Sequence, residues 1–204
     1  MNRVGIVDYG LCNIDSVARA VEELGGRPVP SRDPRELAET DRLILPGVGA
    51  FDVAMRHLHE LDIVDALTDL VLGEHVPVLG ICLGMQLMAS WGTEGEPTAG
   101  LNWIDARVER LQPRAGERVP HVGWNQTEDR SDCVLFDGIA PDADFYFVHS
   151  FHVQCTLDKH VAATTPYAGG FTSAVADGTV FGVQFHPEKS QRTGFALLAN
   201  FLGV

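Results

Sequence analysis

Val78 to Leu87 reads VLGICLGMQL, and it places Cys82 between two glycines where an apolar run gives way to helical spacing. Gly80 to Gly84 is the thiol counterpart of the GxSxG turn, in which a strand bends sharply into a helix and lifts a nucleophile above the sheet. The start of the following helix favours a thiolate, and the Leu83 backbone N–H points to where an oxyanion would form. A free thiol titrates near roughly 8.5, so without such help only a few per cent would be ionised at neutral pH. Taken alone, GxCxG is as well explained by a buried cysteine that fits beside a strand. Chemistry at Cys82 requires a base.

Gly182 to Ser190, GVQFHPEKS, supplies one. In an extended segment side chains two apart share a face, so His186 and Glu188 point the same way, and Pro187 biases His186 itself towards extended backbone. Glu188 can then fix the imidazole's tautomer and stabilise its charged form, while His186 relays a proton between Cys82 and a leaving group. HPE alone is a surface turn with a hydrogen-bonded histidine; combined with GxCxG it points to catalysis. A second oxyanion donor is expected from Pro46-Gly47-Val48-Gly49, which follows the strand Leu43 to Leu45. In isolation that loop is a plain βα turn, but ligands of open α/β sheets gather where it and Cys82 would sit, at the carboxyl ends of strands.

The elements that must position these groups follow an alternating rhythm. RVGIV, RLILP and VPVLGI are short apolar runs separated by helical spacing over Ile14 to Leu24 and Val53 to Leu72. From about Trp103 the texture changes to strand-like pieces, WIDARVERL, DFYFVHSFHVQC, HVAATT and TVFGVQF, read as antiparallel additions to the same sheet. Phe195, Leu197, Leu198, Phe201 and Leu202 recur at helical intervals, so a final helix packs on the sheet. The expected fold class is α/β: a single domain over residues 1–204 with an open mixed, mostly parallel sheet flanked by helices. The change of texture near Gly100 falls within that one domain.

The 204 residues, 45% hydrophobic and 21% charged, match an ordinary globular chain. No export signal or membrane segment is read at the N-terminus, which makes the cytoplasm the expected compartment. Cys12, Cys82, Cys133 and Cys155 lack CxxC spacing and suggest neither disulfides nor zinc. A net charge of −13 argues against nucleic acid as a partner. His57 and His59 lie on divergent faces of a helix, and His149 with His152 has no convincing companion ligand, so neither metal nor other cofactor is expected.

Together these motifs resemble the class I glutamine amidotransferases, with Cys82, His186 and Glu188 matching the family's triad in chain order and context. IVDYGLCNIDSV, LILPGVGAFDVAM, GICLGMQLM, VPHVGWN, YFVHSF and GVQFHPEKSQRTG resemble, over the whole chain, the glutaminase subunits of imidazole glycerol phosphate synthases. The resemblance implies that family's flavodoxin-like architecture and a glutaminase that forms a Cys82 thioester with L-glutamine. It implies that Gln86 and Glu94 hold the substrate's amino acid end, with Gly49, His149, Ser150 and Phe151 completing the glutamine site. Taken singly, Gln86 would suit a solvated helix face and Glu94 a loop. It further implies that Val48 and Gly49 supply an oxyanion donor only after a backbone rearrangement signalled by a partner.

That partner, by the same resemblance, is a (β/α)8 barrel cyclase that uses the ammonia to make imidazole glycerol phosphate and AICAR for histidine synthesis. The chain's own motifs agree that the acceptor lies elsewhere, since no GxxxxGK phosphate loop or dinucleotide fingerprint occurs. Asn13, Trp124, Tyr146 and Lys189 match family motifs that face the barrel; a helix cap, two core aromatics and a solvated side chain are the plainer explanations. His121 matches another motif near the interface and is expected to be structural.

Two departures bear on this reading. Cys12 stands where the family has a glycine, and a positive φ there would cost roughly 1–2 kcal/mol. HSFHVQC is also similar to a paralogous glutaminase group that feeds ammonia to the amidation of a bacterial surface sugar. The same Cys, His and Glu would also serve a cysteine hydrolase with no amidotransferase role, and the fold alone would serve a binding subunit without activity.

Overall fold

The computed structural model describes residues 2–129 and 133–204. Five strands run parallel in the spatial order β2 (Arg27–Ser31), β1 (Arg3–Val7), β3 (Arg42–Gly47), β4 (Val78–Cys82) and β14 (Val180–Val183). Beyond β14 the sheet continues antiparallel through β13 (Phe171–Asp177) and β11 (Phe151–Cys155) to β7 (Ile104–Arg110). β5 (Ala89–Gly92) and β6 (Thr98–Ala99) complete that edge, while β12 (Val161–Thr165) and β9 (Glu128–Asp129) branch from β13. A separate antiparallel ribbon pairs β8 (His121–Gln126) with β10 (Asp144–His149).

The helices are α1 (Ile14–Glu23), α2 (Pro34–Ala38), α3 (Phe51–Glu60), α4 (Val64–Thr68), α5 (Leu83–Leu87) and α6 (Gln191–Gly203). Strand side chains alternate between faces, and the two faces meet different helices. Leu43 and Leu45 pack with Leu37, Met55, Leu58 and Leu67 of α2 to α4. Ile44 between them packs with Val17 and Val21 of α1 and Leu197 and Phe201 of α6. Because β3 is covered on both sides it reads as an unbroken apolar run rather than an alternating one. No helix among the described residues is long and apolar enough to cross a membrane.

Three details differ from the sequence reading. The helix expected over Val53 to Leu72 is two: α3 ends before Asp62, which takes φ 54°, and α4 runs on into a π-helical turn over Asp69–Gly73. DFYFVHSFHVQC is not one strand, and its first half does not join the main sheet. It breaks at Ser150, whose carbonyl accepts from the Leu111 N–H (2.9 Å), so Asp144–His149 belongs to the ribbon and Phe151–Cys155 to the sheet. Finally, β2 carries Pro28 and Pro30 and is invisible to β-propensity; prolines are tolerated there because β2 is an edge strand.

Three strand ends converge at one edge. Gly47 of β3 is in register with Cys82 of β4, and Val183 of β14 with Ile81, so the PGVG loop, the cysteine and the segment leading to His186 emerge side by side. The turn after Cys82 is tight enough that a Cβ on Gly84 would lie 1.7 Å from the Leu45 carbonyl oxygen. Gly84→Ala is therefore expected to destabilise the fold by about 3 kcal/mol, the upper part of the range for overpacking. Urea denaturation measures it, and a loss below about 0.5 kcal/mol would contradict so close an approach.

Candidate active site

Cys82 closes β4 with φ 54° and ψ −108°, a conformation L residues avoid. Such a backbone costs on the order of 1–3 kcal/mol and persists only where the surroundings impose it. Here β4 on one side and α5 on the other impose it, and Cys82 Sγ is left facing Gln184 Nε2 (3.6 Å) and the Val148 carbonyl (4.0 Å).

His186 follows β14 and is 3% exposed. Its Nδ1 lies 2.9 Å from Glu188 Oε1, which accepts only, so Nδ1 carries the proton and Nε2 is the nitrogen left for exchange. Nε2 is buried without a hydrogen-bond partner among the described residues, and the nearby Cys82 acts on it electrostatically. Burial opposes the imidazolium, but Cys82 and Glu188 outweigh it and raise His186 to about 9. The backbone of His186 is clamped: its N–H donates to the Tyr146 carbonyl (2.9 Å), and its carbonyl accepts from Ser190 Oγ (2.6 Å), which itself accepts from the Tyr146 N–H (3.0 Å). Ser190 is buried and is missed by the motif reading, although a serine directly after HPEK is the available signal.

Cys82 and His186 open onto a cavity of about 310 Å³, at the small end of ligand pockets. Every residue expected around a bound glutamine lines it: Gly49, Gln86, Glu94, His149, Ser150 and Phe151. Pro120 and Val148, which fall within VPHVGWN and YFVHSF without a role of their own in the sequence reading, also line it. Glu94 is half-buried, and burial raises its pKa against the opposing pull of the Phe51 N–H, with Asp52 adding to the rise. A cation against this carboxylate would relieve that penalty. Gln86 is not on a solvated face; its Nε2 donates to the Phe151 carbonyl (2.9 Å) and to Gln184 Oε1 (3.0 Å).

The backbone groups expected to meet an oxyanion differ in their present partners. Leu83 is the first residue of α5, so its N–H has no acceptor within the helix. Val48 and Gly49 line the cavity, but the Val48 N–H donates away from it, to the Leu11 carbonyl (2.8 Å). A turn of that peptide is needed before it can face the sulfur, and Gly49 at φ 113° already occupies backbone space that only glycine enters freely. Cys12, beside Leu11, does not take a positive φ; that role falls to Gly10 at 87°, so the strain anticipated for a non-glycine residue at position 12 does not arise.

The ribbon has two unlike faces. His121, Phe145, Phe147 and His149 point inward and are buried, while Val122, Trp124 and Val148 on the other face are 56%, 48% and 39% exposed. Trp124 packs edge-on against Tyr146 (5.9 Å between centroids) and is not a core aromatic. Asn13 is exposed and makes no side-chain cap to α1, and Lys189 Nζ lies 3.9 Å from Glu188 Oε1. On the inward face His149 Nδ1–H donates to the Phe151 carbonyl (2.8 Å), so His149 Nε2 accepts from His121 Nδ1–H (3.0 Å) and His121 Nε2 accepts from Asn125 (3.2 Å). Both rings are neutral: burial chiefly lowers His149 to about 3 and His121 to about 4.

The strained cysteine at a strand end, the imidazole bonded to a carboxylate and the small cavity both line sit at one edge of an α/β sheet. The chain belongs to the class-I glutamine amidotransferase family, whose description matches residues 5–203. A relative from Campylobacter jejuni (strain RM1221), named imidazole glycerol phosphate synthase subunit HisH 1, is 42% identical over 199 residues, covering 98% of each chain. The subunit HisH of Moorella thermoacetica is 44% identical over 201 residues, covering 98% of this chain and 94% of its own. Among solved structures, PurLQS from Thermotoga maritima shares the fold with a TM-score of 0.76 at 20% identity, covering 100% of this chain and 99% of that one.

The neutral histidine pair makes the protein sensitive to acid. An unfolded chain protonates both rings as pH falls through roughly 6.5, whereas the folded one resists until about 4 for His121 and about 3 for His149. Stability therefore declines between those limits, by about 2 kcal/mol per ring from pH 6.5 to 5. His186 acts in the opposite direction: its contribution is complete below about 6.5 and is lost as pH rises through about 9. Urea denaturation at pH 7 and pH 5 should show a smaller acid loss in His121→Gln than in the unaltered protein; an equal loss would remove His121 from this role.

Proposed function

We propose that this chain is the glutaminase subunit of an imidazole glycerol phosphate synthase, with residues 1–204 forming one domain that works in the cytoplasm beside a (β/α)8 barrel cyclase. What supports this reading is the His186–Glu188 hydrogen bond beside a small cavity that Cys82 and His186 both line. Full-length similarity to subunits named HisH supports the pathway.

L-Glutamine binds with its amino acid end towards Gln86 and Glu94, where the substrate ammonium offsets the burial of the carboxylate. Cys82 Sγ attacks the side-chain amide carbon. The resulting oxyanion accepts from the Leu83 N–H and, once the PGVG peptide has turned, from Val48 or Gly49. His186 gives its Nε2 proton to the amide nitrogen, the C–N bond breaks and ammonia leaves. Water then attacks the thioester, its proton passes to His186, and glutamate departs with the thiolate restored. Glu188 keeps one tautomer and one ring orientation throughout. Ammonia released to neutral water would take up a proton and lose its nucleophilic pair, so the product must pass directly to an acceptor. The apolar strip of Val122, Trp124 and Val148 abuts the cavity, and it suits a partner that seals that mouth.

Cys82→Ala is expected to lower glutamine-dependent product formation with the barrel by at least about 10³-fold, as removal of a triad member does. Ammonia-dependent formation should be unchanged, and diazo-oxo-norleucine should label Cys82 only in the unaltered protein. Loss of both activities would sink the assignment. Trp124→Ala should weaken barrel binding by about 2 kcal/mol, a typical central-anchor value, read by titration calorimetry. Unchanged affinity would place the interface elsewhere.

A further inference from the structure

Gln184 is wholly buried between β14 and His186, and the reaction outlined above makes no use of it. A buried amide is retained at a cost unless its groups are paired, and here every pairing is directional. The Phe151 carbonyl can only accept, and it receives both His149 Nδ1–H and Gln86 Nε2–H. Gln86 must therefore present its NH2 group to this side of the pocket. The second of those hydrogens meets Gln184 at 3.0 Å, which obliges Gln184 to present its oxygen there. The Gln184 NH2 group is then left aimed at Cys82 Sγ, 3.6 Å away. Rotating the Gln184 amide would set donor against donor at Gln86 and lone pairs against sulfur at Cys82. One carbonyl, two side chains removed, thus dictates which end of Gln184 faces the nucleophile.

We propose that Gln184 is a preorganised hydrogen-bond donor that holds Cys82 as the thiolate, an inference that rests on the glutaminase reading for its catalytic meaning. The thiol and thiolate have different partners in this site. An S–H can donate to the Val148 carbonyl at 4.0 Å, while an S⁻ accepts from Gln184. A donor that cannot reorient favours the anion without paying for reorganisation when the proton leaves. Gln184 thus acts on the proton equilibrium between Cys82 and His186 Nε2, from the side of the sulfur opposite in chemistry to Glu188. Substrate is held by Gln86 and Glu94, so Gln184 should govern turnover and leave glutamine affinity alone.

The test is the rate of iodoacetamide alkylation of Cys82, followed by mass spectrometry from pH 5 to 10 on the full chain and on its complex with the barrel. Gln184→Met keeps the length and removes the donor. Its alkylation midpoint should rise by about one pH unit, equivalent to about a tenfold lower thiolate fraction below the midpoint. The kcat for glutamine should fall about as much, with KM within about twofold. Gln86→Met frees the Gln184 amide to rotate, and should shift the midpoint in the same direction by less while raising KM. A folded Gln184→Met protein with an unshifted midpoint overturns the inference, as does an unshifted midpoint in Gln86→Met should the first variant not fold. If the unaltered protein alkylates with a normal profile yet releases no glutamate with the barrel, the glutaminase reading fails instead.

Discussion

The site depends on one charge arrangement: an imidazole taken out of water whose hold on its proton is strengthened by Cys82 and by the Glu188 carboxylate bonded to Nδ1. Burial alone would strip the proton from His186, as it does from His149 and His121 nearby. The difference is the company each ring keeps. His186 meets two groups that can carry negative charge, whereas His149 meets a carbonyl and another histidine. The same depth of burial therefore yields one ionised ring for proton transfer and two neutral rings for hydrogen bonding.

Holding that arrangement requires precision from elements far apart in the chain. Register between β3, β4 and β14 brings the PGVG loop, Cys82 and His186 to one edge. The β8–β10 ribbon then fastens His186 through the Tyr146 carbonyl and lines the cavity with His149. Its inward face thus carries His149 to the cavity, and its outward face is an apolar strip facing solvent. A partner bound to the strip would press on the strand pair that holds the catalytic histidine. At the PGVG loop, the Val48 amide is tied to Leu11, next to the exposed Asn13. Both the loop at Val48 and the ribbon that line the cavity thus connect to surface that matches the family's docking motifs.

The alternation of apolar runs and helical spacing made the α/β class legible, because strands covered on both faces must be continuously apolar and their helices must carry an apolar stripe. It did not reveal β2, whose prolines contradict strand propensity, nor the split of Asp144–Cys155 at Ser150. Both depend on neighbours: an edge position forgives a missing N–H, and the strand parts at Ser150 because its two halves pair with different strands, Asp144–His149 with β8 and Phe151–Cys155 with β7.

Within the site, motif context marked Cys82, His186 and Glu188 as candidates, but their meeting is tertiary: Cys82 ends β4, His186 follows β14, and a 3-10 turn over Pro187–Lys189, not the extended segment expected, brings Glu188 to His186 Nδ1. The sequence also named the residues around the glutamine pocket through their family positions. Only the tertiary structure decided that Val48 donates to Leu11, that Ser190 clamps the His186 turn, that Trp124 is exposed and that Gln184 aims its amide at the sulfur. The physical reason is that hydrogen-bond direction is a property of pairs. Gln184 and Phe151 are 33 positions apart, and the link between them runs through Gln86, 65 positions before Phe151 and 98 before Gln184. Such a polarity exists only once the fold has set donor against acceptor.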